Sequence, residues 1–215
     1  MNRSVIQHLV LLVTLFFVQN TLPAQLSNHG LIWHFGYHAG LDFSSGTPVV
    51  LPNTPMNSFE GCAVWCNSNG QLLATTNGGG SEDPFLGLYD GLIWDGIGNV
   101  VENMGEHTSG GGFSSSQGAV FIPKPGDPQR LLLFTVDQRG GSRGIRLYEL
   151  AIGLGNSISV IQKNIPVFEP ATECITAIPH PNGTDFWIVS VQDNSQEFVV
   201  KIGRASCRER VCSTV

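Results

Sequence analysis

The stretch QGAVFIPKPGDPQRLLLFTV, residues 117–136, holds two apolar runs around a polar reversal. AVFIP and RLLLFTV are each too short for a packed helix and are rich in β-branched and aromatic residues, as strands are. Between them, proline fixes φ and offers no amide donor, and glycine supplies positive φ, so the chain must turn back. The reading is an antiparallel hairpin whose second strand is crowded with bulky apolar residues.

Two other stretches share this plan. EGCAVWCNSNGQLLATT begins at Glu60 and ECITAIPHPNGTDFWIVSV at Glu173, 57 residues before and 56 residues after Gln117. Each has a Glu or Gln, a strand, a polar turn and a second apolar strand. A spacing near 50–57 residues with about four strands per unit is that of β-propeller blades. A sheet with two apolar faces cannot bury both alone, so such units stack around an axis. Further short runs, LIWHF (31–35), PVVL (48–51), GLIWD (91–95), IRLYELAI (145–152) and EFVVK (197–201), fit the same meander. The expected fold is all-β: a partial, WD40- or kelch-like propeller of about three blades, each an antiparallel four-stranded sheet. A β-sandwich is the alternative, and it would not require equal spacing.

The two ends read differently from the middle. Arg3, the apolar run Leu9–Val18 and Ala24 form a secretory signal over residues 1–24, the run being too short to span a bilayer. The exported domain is then 25–200, at the cell surface or secreted. The last fifteen residues, KIGRASCRERVCSTV, carry four of the eleven Lys and Arg. Within them Ile202–Val211 resembles a translated short-read sequencing adapter. Residues 201–215 are therefore expected to be adapter-derived, the propeller to be cut short, and downstream domains to be missing; Cys212–Val215 has no such account. The formal charge of −6 becomes −9 without those fifteen residues. An acidic domain with no basic run argues against nucleic acid and anionic membrane as partners.

WHFGYHAGLDFSSGTPVVL (33–51), FEGCAVWCNSNGQLL (59–73), LIWDGIGNVV (92–101), SSSQGAVFIPKPGDP (114–128) and TAIPHPNGTDFWIVS (176–190) carry a family likeness. They resemble the N-terminal propeller region of secreted surface proteins of Bacteroidetes. That family carries polycystic-kidney-disease-type domains and a type IX secretion signal, often labelled gliding-motility-associated. The resemblance implies a binding or adhesion platform for protein or glycan, with no catalytic residues to carry over. A carbohydrate-active lyase or glycosidase, with acids in the missing region, and a structural spacer are the alternatives.

Candidate chemistry is sparse. Asp90, Asp95, Glu102 and Glu106, with His107 beside them, offer oxygen ligands for Ca²⁺ or an acid pair, but lack calcium-loop spacing; no other cofactor is expected. His34 and His38 straddle a turn without the glutamate of a zinc-protease helix. GGGFSSSQG (110–118) has neither a nucleophile elbow nor a phosphate loop, and reads as a connection. Trp33 and Tyr37 are the candidate ligand-facing aromatics, from a set that includes Trp65, Trp94 and Trp187. Cys62 and Cys66 stand about 13 Å apart along a strand and cannot bridge each other. Either one pairs with Cys174 or all three are small buried hydrophobes.

Overall fold

The computed structural model describes residues 28–81, 87, 89–105, 110–203 and 212–213. The leader at 1–24 and most of the 201–215 tail lie outside the described residues. The chain forms sheets in sequence order. β1 (Ile32–Phe35), β2 (Ala39–Asp42) and β3 (Val49–Val50) make a three-stranded first sheet. β4 (Ala63–Cys66), β5 (Leu72–Thr76), β7 (Gly91–Asp95) and β8 (Val100–Gly105) make the second, interrupted by β6 (Gly79–Gly80), which pairs in parallel with β9 (Gly111–Gly112). The third is β10 (Ala119–Lys124), β11 (Asp127–Val136), β12 (Ile145–Ile152) and β13 (Ile158–Phe168). The fourth is β14 (Ala171–Pro179), β15 (Phe186–Gln192), β16 (Phe198–Gly203) and β17 (Cys212–Ser213).

The expectation of an all-β antiparallel fold is met. The three related stretches supply the first two strands of the second, third and fourth sheets. The first sheet precedes these units in the chain. No ring closes among the described residues. None of their helices is long and apolar enough to cross a membrane.

Period-two alternation explains the stacking. On β11, Leu131 and Leu133 join Leu73, Ile93 and Met104 of the second sheet in one core. The intervening Leu132, Phe134 and Val136 join Ile175 and Ile188 of the fourth sheet in another. Tyr148 and Leu150 repeat the first orientation on β12, and Ile145 and Leu147 the second. The near-continuous RLLLFTV run is thus a strand buried on both faces. Each fully buried side chain of this size contributes about 1.5–3 kcal/mol.

Edge strands are less regular. β13 carries Asn164 at φ 52°, Pro166 and three register shifts against β12. A proline without a ladder donor and a bulged backbone suit an edge and discourage pairing with another chain.

Candidate functional site

Because the strands alternate in direction, the connections divide between two ends of the stack. One end holds short reversals: 67–71, 96–99, 125–126, 153–157 and 180–185. The described parts of the longer connections, 77–81, 89–90, 110–118 and 137–144, lie at the other end, with 57–62 and 193–197. This long-loop end is the candidate site.

Its loops are pinned from beneath. Arg143 and Asp137 form an ion pair at 3.0 Å, with Asp137 only 2% exposed. The Asp137 carboxylate also accepts from the amides of Gln138 (2.9 Å) and Arg143 (3.2 Å). The same guanidinium donates to the carbonyl of Gly111 (3.2 Å), and the Gln138 side-chain oxygen accepts from the amide of Ser114 (3.0 Å). One loop of the third sheet therefore holds the 110–118 connection in place. That connection holds the second sheet in turn: Gly111 and Phe113 amides donate to Gly78 and Gly80 carbonyls. The approach is so close that a Cβ on Gly79 would stand 1.7 Å from the Gly111 carbonyl oxygen. Only glycine fits. Asn77, 2% exposed, completes the support by donating to the carbonyls of Asn57 (3.2 Å) and Asp90 (2.9 Å) while accepting from the Leu92 amide (2.8 Å).

Aromatic rings crown this end. Phe113 is buried and stacks with Tyr89 at 4.6 Å and 8°, and with Phe59 at 6.1 Å and 19°. Phe59 and Tyr89 remain exposed, as does Tyr37 at the tip of the β1–β2 turn. Aromatic rings offer a large apolar face with little conformational freedom to lose, which suits recognition.

Trp33 and Tyr37 do not share one surface. Trp33 lies on the outer face of β1, donating to the Gly30 carbonyl and touching Phe43. Trp94 is in the core, Trp65 stacks on His29, and Trp187 lies beside His180 on the fourth sheet. The wider tryptophan set is scattered.

The acids do not converge either. Asp95 closes the 96–99 turn by accepting from the amides of Ile97 and Asn99 and from the Asn99 side chain. Burial pushes its carboxyl up, but these donors outweigh it and hold the group below the ordinary carboxylate range. Asp90 accepts from Asn103, and Glu102 pairs with Lys163. Glu106 and His107 lie outside the described residues. Among the described residues no three metal-binding side chains come together.

His34 faces the second sheet, 6% exposed, and burial lowers its pKa. His38 bonds the Thr54 carbonyl from the turn. Cys62, Cys66 and Cys174 are free thiols. Cys66 is buried and Cys62 half-buried, and burial pushes both thiols up. Cys174 is exposed on the fourth sheet, with the third sheet standing between it and the other two.

At the short-turn end, two open clefts of about 410 and 420 Å³ meet at Gln71 and Ile97. The Gln71 amide oxygen already accepts from Asn67 and Asn156, which leaves these clefts mainly apolar seams between sheets.

The Asp137–Arg143 clamp and the glycine pairing were not foreseen from the sequence. The available signal was a charged pair flanking Gly-Gly directly after a buried strand, in DQRGGSR (137–143). No family model matches the chain, and no curated protein and no solved structure matches it either.

Proposed function

We propose that the chain is an exported, incomplete β-propeller whose long-loop end is a binding platform for a protein or glycan ligand. The reading extends the resemblance to Bacteroidetes surface proteins, with a role in attachment or gliding. The observation that supports it best is the gathering, among the described residues, of the longer connections at one end, fixed by a buried ion pair and a glycine-to-glycine backbone contact. Loops held rigid before binding lose little entropy when a ligand arrives. The exposed rings of Tyr37, Phe59 and Tyr89 supply the contact surface on this reading.

Glycan-array and surface-protein capture experiments on the full chain test it, beside a Tyr37→Ala/Phe59→Ala double variant. The expected result is a bound ligand whose affinity falls at least about tenfold in the variant, each lost aromatic anchor being worth more than about 1 kcal/mol, with unfolding unchanged. Equal binding by both proteins would sink the assignment of this face. Release of reducing ends from a polysaccharide would replace the platform with an enzyme.

A further inference from the structure

Asparagine is followed by glycine at Asn69–Gly70, Asn77–Gly78 and Asn182–Gly183. In this dipeptide the asparagine side chain lies beside a backbone nitrogen that carries no neighbouring Cβ, so the two can approach and react. The fold treats the three sites differently.

Asn69 and Asn182 form a matched pair. Both are exposed, and each sits in the short reversal between the first two strands of its sheet, β4–β5 and β14–β15. In each the glycine is left-handed, with φ 80° at Gly70 and 75° at Gly183. The Gly70 amide donates to the Asn67 carbonyl at 2.9 Å, and the Gly183 amide to the His180 carbonyl at 3.0 Å.

Their side chains differ. Asn182 Oδ1 accepts from the amides of Thr184 (3.1 Å) and Asp185 (3.0 Å), while its Nδ2 donates to the Asp185 carboxylate (2.8 Å). These bonds fix the carboxamide in an Asx turn. The Asn69 side chain makes no hydrogen bond among the described residues. Its turn is stapled instead by Asn67, whose Oδ1 accepts from the amides of Asn69 (2.9 Å) and Gln71 (3.0 Å). Asn77 is the other extreme, 2% exposed with both ends of its carboxamide bonded.

We propose that Asn69 is a site of spontaneous covalent modification, attacked by the Gly70 nitrogen, while Asn182 and Asn77 are held out of the reaction. A bond forms between Gly70 N and Asn69 Cγ, the Cγ–Nδ2 bond breaks, and ammonia leaves with the Gly70 amide proton. The product is a succinimide ring. Water opens it at either carbonyl, giving aspartate or, with the backbone rerouted through Cγ, isoaspartate. Either product adds a negative charge, and isoaspartate also lengthens the backbone of the β4–β5 turn by one atom.

The test follows the purified full chain over days in mildly alkaline buffer, folded and in urea. Chymotrypsin, cutting after aromatic residues and leucine, places the three asparagines in separate peptides. Fragment-ion masses then locate each exchange of NH2 for OH. In the folded chain Asn69 is expected to convert at least about fivefold faster than Asn182, as follows if one hydrogen bond of ordinary net strength must break before attack. Asn77 is expected to stay intact, and in urea the margin between Asn69 and Asn182 disappears. Equal rates at Asn69 and Asn182 in the folded chain overturn the proposal. So does an Asn69 that converts only in urea. An undiminished margin in urea overturns it too, because sequence neighbours rather than the fold would then set the rates.

Discussion

Arg143 is the residue on which the loop end turns, because it neutralises a carboxylate that has almost no contact with solvent. Arg143→Met takes the guanidinium away from the Asp137 carboxylate in a low-dielectric site. The expected loss is about 3–5 kcal/mol, read as a lower urea midpoint at unchanged slope. An unchanged midpoint would remove the clamp from the account. The glycines give a second contrast. Gly79→Ala forces a Cβ onto the Gly111 backbone, whereas Gly126→Ala, at φ 79° in the β10–β11 turn, meets open space. The turn variant is expected to cost about 1–2 kcal/mol from its left-handed backbone alone, and the Gly79 variant clearly more. Equal costs would contradict the close approach. Buried His34 adds a pH dependence. Its folded pKa is lowered from 6.5, so its contribution to stability is complete above that value and is lost as pH falls through the depressed one. The denaturation midpoint is expected to decline from about pH 7 downward, and less so in His34→Gln. Parallel declines in both proteins would assign the effect elsewhere.

At the scale of elements, what the sequence disclosed and what it hid have physical reasons. GLIWD matches β7 to the residue, and the hairpins at 117–136 and 173–191 form where proline, glycine and asparagine require a reversal. Central strands are readable because burial demands an apolar side chain at nearly every position. β2, β8 and β13 went unnoticed because they are mostly half-exposed or at an edge, and polar residues are tolerated in them. β6 and β9 could not be read, since a backbone contact between glycines leaves no side-chain pattern. The same limit hid the clamp: sequence shows that a position is buried, not which distant residue meets it. The two faces of β11 offer a test at this scale. Leu133→Ala opens the contact with the second sheet, and Leu132→Ala the contact with the fourth. Each is expected to cost about 2–5 kcal/mol in equilibrium unfolding. A cost below about 1 kcal/mol for either would mean that its face is not packed.

Across the whole molecule, antiparallel meanders stack face to face in chain order, with the third sheet enclosed on both sides. A two-layer sandwich makes a different demand on β11, because each of its sheets keeps one face in water. Thiol labelling of single cysteines placed at 131 through 136, in a chain whose five native cysteines are replaced by serine, separates the two arrangements. All six native positions are below about one-twentieth exposure, with Val136 and Leu133 at 0%. The stack predicts slow labelling at every position under native conditions, with no alternation along the strand. Rapid labelling at every second position, with protection between, would contradict it.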